Sequence, residues 1–489
     1  MSNKTDEQDA KGAQAPFDVA RAVAEAAPGD TVAVPAGTYD APLIRGAAFD
    51  PSDPVTIAPA GDGPVRFEGT TKIKDSSGLV LTGIEFQADI GAERAGRGGT
   101  SYLDARDLAA VRVQGSSDIV LTDNVVEGGT LAPGDVSGGA QTYVGKNVGI
   151  GVLLRDSDRV EIADSAMSDL GKGVVLDRTQ DVTIRGNRIE DTREDVIRGA
   201  NHDGTTVEGN VMIELSPWRA NPGQVESRTD EHADFVQFWT TPGGTGISDF
   251  TITGNVMIDR EGTAQGVFGW NKHEGGGNQF RDFTVSDNLI YSGHRHGINL
   301  NDVRGGIVEG NTLVPNAEMP RGAVAVPIVE IGGGSSGIRV ANNLVPDRNG
   351  DAVTVDDRAR GIEGSGNVGY LVGADARGAP EGALTRGTVF GDLAGSGPVT
   401  AADLGVTSPG VPAGVGSTLG GASVWMGAEA PSDPDEFVFA PAGEDAPDET
   451  PEPDRPVAEG PGPAEVEPEA DPAADPIAAE PDASDSPPL

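Results

Sequence analysis

Short segments in which apolar and polar residues alternate recur along the chain. Each ends in a small or polar residue, then Asn, then a second apolar pair, as in DVTIRGNRI (181–189), DFTITGNVM (249–257) and DFTVSDNLI (282–290). Alternation with a period of two predicts β-strands. The Asn residues follow one another at intervals of 23, 45, 33, 23, 32 and 24 residues, at positions 187, 210, 255, 288, 311, 343 and 367.

A unit of this length cannot bury its apolar strand face alone, so neighbouring units must stack. We therefore predict an all-β fold, a right-handed parallel β-helix, in which a short interval is one coil and a longer interval contains inserted loops. Asn at a fixed corner tolerates left-handed backbone and can bond to its equivalents in adjacent coils. A β-propeller is the alternative, although its blades contain four strands.

The composition divides the chain into four parts. Residues 1–16 read as a flexible leader, and FDVARAVAEAA (17–27) reads as an amphipathic helix that caps the open end of the first coil. The β-helix is predicted over 28–439, with regular coils to about residue 370 and looser structure after it. Residues 440–489 are rich in Pro, Ala, Asp and Glu and are expected to be disordered, because they cannot bury enough apolar surface.

The charge balance restricts the partners. A formal net charge of −42 argues against nucleic acid and against an anionic membrane surface, since both bind basic proteins. No apolar segment has the length of a membrane span. The chain has no cysteine, so no disulfide framework is expected. The sequence does not indicate an oligomeric state.

Two segments bear on localisation. The opening MSNKTDEQDAKGAQ lacks the apolar core of a secretory signal peptide. DPDEFVFAPAG (433–443) resembles a phrase near the C-termini of RTX-type proteins, which leave bacteria by type I secretion. This resemblance implies secretion without an N-terminal signal. A closing strand of the β-helix and a cytoplasmic location are the alternatives.

The five histidines all lie between residues 202 and 296. Aligning the strands that follow the inserted loops places Val174, Val196, Phe235 and Ile298, or their neighbours, in the inward column. Three outward columns result: Lys172, Asp195, Asp234, Gln265 and His296; Val175, Arg198, Gln237, Phe268 and Asn299; Asp177, Ala200, Trp239, Trp270 and Asn301. Arg193, His232 and His294 lie one step earlier, and Lys272 and His273 belong to a loop that is expected to cover the patch.

These side chains are typical of a carbohydrate site. Tryptophan faces stack on sugar rings, and the planar fork of arginine pairs with uronate carboxylates. We therefore predict that Arg178, Arg193, Gln237, Trp239, Trp270, Lys272, His273 and Asn299 bind an acidic polysaccharide.

The alternatives are a solvated polar surface with a tryptophan ladder, and a metal site. A transition metal would use His232, Asp234, His294 and His296, and calcium would use Asp195 and Asp234; otherwise no cofactor is expected.

The N-terminal region resembles one enzyme family. ARAVAEAAPGDTVAVPAGTYD (20–40), DPVTIAPAGDGPVRFEG (53–69) and GLVLTGIEF (78–86) look like the opening coils of chondroitinase-B-like and alginate lyases of polysaccharide lyase family six. In that family a Lys and an Arg about one coil apart act as base and acid. Aligning the GN corner at Gly186 and Asn187 puts Arg178 at the Lys position and Arg198 at the Arg position.

A second similarity is to mannuronan C5-epimerases, which carry an Asp-Pro-His site; here Asp230-Glu231-His232 supplies Asp-x-His. Lyases and epimerases both begin by removing the proton α to a uronate carboxylate. The assigned roles are His232 as base, Arg198 and Gln237 as stabilisers, His294 or His296 as acid, and Asp234 as the group that orients an imidazole.

The expected function is a polysaccharide lyase on a uronate polymer. The alternatives are a C5-epimerase, a glycoside hydrolase using Asp195 and Asp234, and a non-catalytic glycan-binding surface or spike protein.

Overall fold

The computed structural model describes ten stretches of the chain: residues 17–88, 108–130, 145–217, 233–259, 264–271, 279–316, 326–347, 352–372, 383–390 and 404–419. The predicted leader 1–16, the phrase at 433–443 and the predicted tail 440–489 lie outside these residues.

Strands of the described chain form two large parallel sheets and one two-stranded antiparallel pair, β12 (Gly129–Thr130) and β13 (Asn147–Val148). The larger sheet has 21 strands in two rows, because two long strands, β14 (Ile150–Ala163) and β16 (Lys172–Arg185), run through both. The other strands of row A are β3 (Leu43–Arg45), β6 (Thr71–Lys74), β9 (Ala109–Gln114), β18 (Ile197–Asp203), β21 (Ala233–Trp239), β24 (Ala264–Trp270), β27 (His296–Leu300), β30 (Ile328–Ile331) and β33 (Val353–Val355).

Row B contains the later halves of β14 and β16 and ten further strands. They are β1 (Thr31–Val34), β4 (Val55–Pro59), β7 (Ser77–Thr82), β10 (Ser117–Thr122), β19 (Thr206–Glu208), β22 (Gly246–Thr253), β25 (Gln279–Ser286), β28 (Val303–Glu309), β31 (Ser336–Ala341) and β34 (Glu363–Ser365).

Row C is the second sheet, with 12 strands. They are β2 (Gly37–Asp40), β5 (Val65–Glu68), β8 (Glu85–Gln87), β11 (Val125–Glu127), β15 (Ala166–Ser168), β17 (Arg188–Thr192), β20 (Val211–Leu215), β23 (Val256–Ile258), β26 (Leu289–Ser292), β29 (Thr312–Pro315), β32 (Leu344–Pro346) and β35 (Val368–Tyr370). Along the chain a strand of row A, then B, then C completes one coil, and each strand pairs in parallel with its equivalent in the next coil. The predicted parallel β-helix is confirmed.

Each coil places alternate side chains inside the helix, which explains the period of two. One inner column of row B consists of aliphatic side chains, from Ile57 to Val340, each at most 3% exposed. A cluster of phenylalanines fills the middle coils, where Phe238 meets Phe250, Phe280 and Phe283 edge to face at centroid distances of 5.4, 5.3 and 5.0 Å. The core is therefore a thin, continuous column.

The repeated Asn forms a buried hydrogen-bonded ladder at the corner between rows B and C. The side-chain amide of Asn210 donates to Oδ1 of Asn255 at 3.0 Å, and that of Asn255 donates to Oδ1 of Asn288 at 2.9 Å. The same Oδ1 atoms also accept the backbone N–H of the Asn one coil before, for example Asn210 N to Asn255 Oδ1 at 3.0 Å. The predicted bonding between equivalent residues is confirmed.

The left-handed backbone belongs to a different residue from the one predicted. The residue before each ladder Asn has the positive φ, as in Gly209 (62°), Gly254 (65°) and Asp287 (54°), whereas the ladder Asn residues do not. The reason is geometric: the left-handed residue turns the chain, and the following Asn then points inward along the helix axis. Gly and Asp dominate this position because they tolerate positive φ better than most residues.

A helix covers the first coil, as predicted, although it is shorter than the 17–27 segment. Helix α1 (Val19–Glu25) begins after Asp18, whose side chain accepts the N–H of Arg21 at 3.0 Å. Val19 and Val23 are buried against the core. The helix therefore hides the apolar end of the solenoid.

The chain after the last coil packs on the outside of row C. Helix α2 (Arg386–Phe390) places Val389 and Phe390 in an apolar cluster with Tyr370 and Val411. The segment then returns along the coils, where the backbone N–H of Thr418 donates to Asp287 Oδ1 at 2.6 Å. Within the described residues, no helix combines the length and the apolar character that a membrane crossing requires.

Candidate functional site

The outer face of row A has the predicted register. Val175 pairs with Arg198, Arg198 with Gln237, and Gln237 with Phe268. Five further predicted neighbours are also paired: Asp234 with Gln265, Phe268 with Asn299, Asp177 with Ala200, Ala200 with Trp239, and Trp239 with Trp270. Because stacked strands lie about 4.8 Å apart, each column is a ladder of side chains with that spacing.

The four predicted inward residues are all completely buried, but they belong to two columns. Val174 and Ile298 align with each other through Ile197, whereas Val196 and Phe235 stand one position earlier. In other coils that earlier position is a glycine, for example residue 173, where a Cβ atom would lie 2.3 Å from the carbonyl oxygen of Val196. The local irregularity lets the preceding polar residue face outward.

A buried ion cluster lies on this outer face, with Glu194 at its centre. Lys172 Nζ lies 2.8 Å from one carboxylate oxygen of Glu194, and the guanidinium of Arg193 binds the other. Arg198 approaches the same carboxylate at 3.8 Å. The side chain of Arg193 is 0% exposed and also donates to the carbonyl oxygen of Asn147 at 2.8 Å. Paired charges with further hydrogen bonds offset the desolvation that burial imposes.

The cluster continues through Asp195 of the same coil and Asp234 of the next coil. Arg198 lies 3.2 Å from Asp195 Oδ2, and Asp195 Oδ1 accepts the backbone N–H of Asp234 at 3.2 Å. The side-chain amide of Gln237 donates to Asp234 Oδ2 at 2.9 Å. The guanidinium of Arg198 lies 4.5 Å from the ring centroid of Trp239, a cation–π contact. Arg198 is thus fixed by a carboxylate and an aromatic ring.

Two half-buried imidazoles lie farther along the same face. The ring of His296 stacks on Phe268 at 5.1 Å, and its Nδ1 lies 2.6 Å from Gln265 Oε1. The His294 ring is 4.9 Å from that of His296, and His294 Nδ1 accepts the backbone N–H of His296 at 3.1 Å. If the amide oxygen of Gln265 accepts, the neutral His296 carries its proton on Nδ1. The neutral His294 then carries its proton on Nε2.

The structure separates the predicted site into two parts. Arg198, Asp195, Asp234, Gln237, Arg193 and Trp239 belong to the ion cluster, whereas His294, His296 and Asn299 lie toward the C-terminal coils. Arg198 and Asn299 share a column but are three coils apart, about 14 Å at the spacing of stacked strands. One sugar residue therefore cannot contact both parts.

Arg178 lies at the corner between rows A and B, away from Arg198. Its guanidinium binds Asp156, with Nε at 2.5 Å from Oδ1, and Asp177, with Nη1 at 2.8 Å from Oδ2. Burial raises the pKa of Asp177, while Arg178 and Arg155 oppose this rise. Arg178 borders an open groove of about 650 Å³ together with Asp156, Asn201, Asp203 and Ser248. The exposed arginine is engaged by two carboxylates at this corner.

His202 has a structural role. It is 2% exposed, its ring meets Phe250 edge to face at 4.8 Å, and its Nδ1 lies 3.0 Å from the hydroxyl of Thr205. Burial lowers the pKa of His202 to about 3. This imidazole is therefore neutral in the core and does not belong to the outer face.

Several predicted site residues fall outside the described part of the chain: His232 with Asp230 and Glu231, and Lys272 with His273. Trp270 is described only through its backbone, which pairs with Trp239. Their roles stay predictions.

The predicted transition-metal set includes His232, which lies outside the described residues, so that alternative stays a prediction. Among the described residues, no group of three or more His, Asp or Glu side chains could hold a metal ion. The proposed calcium ligands Asp195 and Asp234 are bonded to a guanidinium, a backbone N–H and an amide. Calcium takes about six to eight oxygen ligands. Among the described residues, these two carboxylates do not supply such a ligand set.

Glu194 is the residue of this site that the strand alternation does not indicate. It precedes β18, in the turn that enters row A, so its direction does not follow from the period of two. The available signal is the charged run Arg193-Glu194-Asp195 directly before an apolar strand. Lys172 is also more important than its place in a column indicates, because it is the buried cation bound to Glu194.

A model of the right-handed β-helix region matches residues 95–216. No curated protein sequence matches the chain significantly. Solved structures with a similar fold include a GH136 lacto-N-biosidase from Eubacterium ramulus, with 14% identity and a TM-score of 0.42, covering 71% of this chain and 62% of that one. The Dettilon tailspike protein shows 16% identity and a TM-score of 0.40, covering 65% and 62% of the two chains. A PL6 family polysaccharide lyase from Pseudopedobacter saltans shows 11% identity and a TM-score of 0.41, covering 79% and 96%.

The aligned part spans less than two thirds of the lacto-N-biosidase and tailspike chains. The handedness that the family model describes agrees with the stacked parallel coils. The chain is a right-handed parallel β-helix protein.

Proposed function

We propose that this protein acts on an acidic polysaccharide by abstracting the proton α to a uronate carboxylate, and that it is a polysaccharide lyase. The observation that carries the proposal is the pair of half-buried imidazoles, His296 and His294, whose rings meet at 4.9 Å on the outer face of row A. A neutral His296 with its proton on Nδ1 presents Nε2 as a base. A neutral His294 with its proton on Nε2 presents a donor for the leaving oxygen.

Polar groups beside the pair suit a sugar ligand. Arg295 stands between the two histidines in the sequence, is exposed, and forms an ion pair with Glu330 at 3.1 Å. Its guanidinium is a suitable partner for the uronate carboxylate, whose negative charge grows as the proton leaves. Asn299 and Asn301 are hydrogen-bonded to each other next to Phe268. Asn301 is half-buried and supplies an amide group for sugar hydroxyls, and the buried Asn299 orients it.

The ion cluster serves binding in this proposal. Arg198, supported by Asp195 and Trp239, presents a fixed guanidinium about three coils from the imidazoles. Because Arg198 is 5% exposed, it holds the cluster in place beneath the sugar chain, distant from the sugar residue that reacts. Lys172 and Arg193, both buried and bridged by Glu194, hold the cluster together from within.

A glycoside hydrolase is less well supported. Its two carboxylates would be Asp195 and Asp234, which are 2% and 0% exposed and bonded to neighbouring side-chain and backbone groups. A hydrolase needs water at one carboxylate. Proton abstraction by an imidazole does not.

The test is ultraviolet absorbance of the protein with alginate, polygalacturonate, glucuronan and glycosaminoglycans. A lyase produces unsaturated uronate, and His296→Gln should lower kcat by at least about 100-fold, the usual contribution of general acid–base catalysis. The matched control is His202→Gln, the core imidazole, which should keep most of kcat at a temperature where it is folded. A sugar that is epimerised without cleavage, seen by NMR, would replace the lyase with an epimerase. Full activity of the His296 variant would refute its role as base.

A further inference from the structure

The outer side of row C is apolar over its last six coils, a surface that we name the apolar strip. Its two outward columns change together between β17 and β20, where Arg188 is followed by Val211 and Glu190 by Ile213. From β20 to β35 the outward residues are Val211, Ile213, Val256, Ile258, Leu289, Tyr291, Thr312, Val314, Leu344, Pro346, Val368 and Tyr370. An apolar surface of this length is rarely left in contact with water.

Residues 404–419, which we name the return arm, lie along the later coils of the strip. Three consecutive N–H groups of the arm bind three successive coils in reverse order: Gly416 to Asn342 O, Ser417 to Thr312 Oγ1 and Thr418 to Asp287 Oδ1, at 2.8, 2.7 and 2.6 Å. Leu419 packs against the same apolar cluster as the strip. The return arm therefore runs along the strip toward its N-terminal end.

Two coils of the strip lie beyond Asp287, the last residue to which the return arm is bonded. Their outward residues Val256 and Val211 are 1% and 2% exposed. Val125, which occupies the same outward column three coils before Val211, is only half-buried. The first two coils of the strip are therefore covered as well, and the direction of the return arm indicates that the covering residues follow Leu419.

The sequence after the return arm contains residues that fit this surface. Four small residues follow Leu419, and Val424, Trp425 and Met426 are the first large apolar residues after them. The two uncontacted coils extend about 10 Å past Asp287. The five residues from Leu419 to Val424 span at most about 18 Å, so the apolar group is within reach of both coils. Residues 427–436 contain four acidic residues and no large apolar one, so they do not suit the strip.

We propose that residues 424–426 dock on the apolar strip over Val256 and Val211 and extend the return arm by two coils. A second copy of the chain is a poorer occupant, because two molecules that each carry a net charge of −42 repel each other. The same two coils carry Arg198 and Trp239 on row A. The docked segment therefore stabilises, from the opposite side, the coils that hold the ion cluster.

Hydrogen exchange of the full chain tests the docking. The test variant is Val424→Ser/Trp425→Ser/Met426→Ser. The matched control is Phe437→Ser/Val438→Ser/Phe439→Ser, which changes the next apolar triplet of the chain. In the test variant, amides of β20 and β23 should exchange at least about ten-fold faster, because loss of even one large apolar contact has an effect of this size. Unchanged exchange in β5 and β8 confirms that both variants are folded.

The control variant should exchange at β20 and β23 as the unchanged protein does. Unchanged rates at these strands in the test variant would overturn the proposal. Faster exchange in the control variant alone would also overturn it, since residues 437–439 would then be the occupant.

Cysteine pairs test the contact directly, because the chain has no cysteine of its own. Val211→Cys is combined in turn with Val424→Cys, Trp425→Cys and Met426→Cys. Val125→Cys with the same three partners is the control, since Val125 lies about 14 Å from Val211 along one column, farther than a disulfide can bridge. After mild oxidation, we expect an intrachain disulfide in at least one Val211 pair and in none of the Val125 pairs.

Mass spectrometry of the digested monomer identifies the linked peptides. A disulfide that joins two chains through position 211 would show that a second copy covers the strip, and would refute docking within one chain. Equal intrachain yields at positions 125 and 211 would refute it too, because the segment would then have no fixed place. The absence of an intrachain disulfide from all three Val211 pairs would have the same meaning.

Discussion

At the scale of single residues, the Asn ladder shows how many hydrogen bonds between coils one side chain can make. The amide of Asn255 donates to the carbonyl oxygen of Val207 at 3.0 Å and to Oδ1 of Asn288, and its Oδ1 accepts from Asn210. The sequence predicts this ladder because Asn recurs at coil spacing and has both a donor and an acceptor. The sequence does not show which of the two adjacent corner residues has the left-handed backbone, because a Gly or Asp is compatible with either of them.

Asn255→Ala should lower the free energy of unfolding by about 3 kcal/mol, because buried partners lose their hydrogen bonds without gaining water. Asn367→Ala is the matched variant at the end of the ladder. Asn367 is half-buried and has no ladder Asn beyond it among the described residues, so its loss should be smaller. Urea unfolding measures both. Equal losses would mean that the ladder is not cooperative.

His202 should make stability depend on pH. Its folded pKa is about 3, below the ordinary value of 6.5, so the unfolded chain binds the proton first as pH falls. The contribution of His202 to the free energy of unfolding is therefore fully present above about pH 6.5 and is lost progressively as the pH falls to about 3. Between pH 7 and pH 5 this one imidazole should lower the free energy of unfolding by about 2 kcal/mol.

The control is His202→Phe, which removes the titrating group and keeps an aromatic ring beside Phe250. Subtracting its pH profile from that of the unchanged protein isolates the contribution of His202. An identical pH dependence in both proteins would place the sensitivity elsewhere.

At the scale of elements, row C changes its outer surface along the helix. In the early coils its outward residues include Arg66, Glu85 and Arg188, whereas from Val211 onward they are mostly apolar, as in Leu289. The later coils are covered by the segment that contains α2. The sequence shows this change, because Val, Ile and Leu replace charged residues at outward positions. It does not show which segment covers them, since that contact is between distant parts of the chain.

Phe390→Ala should destabilise the last coils. Phe390 is 4% exposed and meets Tyr370 edge to face at 5.4 Å, so its removal leaves a cavity worth about 3 to 5 kcal/mol. Hydrogen exchange should show faster opening of β32 and β35 than of β5 and β8. Val355→Ala is the control, because Val355 is 43% exposed. Unchanged exchange in β35 would mean that α2 does not hold the coil.

The candidate site likewise has features that the local sequence predicts and features that depend on contacts between distant residues. The register of row A is predictable, because the apolar alternation leaves only one alignment of strands such as β18 and β21. The hydrogen-bond and ion-pair partners of the outward side chains are not predictable, because they depend on turn residues such as Glu194 and on side-chain rotamers. The tautomers of His294 and His296 depend on the N–H of His296, which donates to His294, and on the contact of His296 with Gln265 of the preceding coil, and no sequence spacing specifies either.

At the scale of the whole molecule, excess negative charge opposes folding. The formal charge is −42, and residues 440–489 contribute 15 acidic residues against one basic residue. Exposed ion pairs between coils, such as Arg159 with Asp118 at 2.7 Å, offset little of this repulsion, because solvent screens the attraction between their charges. Self-repulsion of like charges should therefore outweigh the attraction within the surface pairs.

Raising the salt concentration tests whether charge repulsion or ion-pair attraction dominates, because the two predict opposite changes in the melting temperature. If repulsion dominates, added sodium chloride should raise the melting temperature by several degrees, because screening weakens the repulsion more than it weakens close pairs. A variant that ends at residue 439 lacks about a third of the net charge and should show a smaller rise. Differential scanning calorimetry of both proteins across a salt series measures the effect. A melting temperature that falls with salt would show instead that the ion pairs between coils hold the solenoid together.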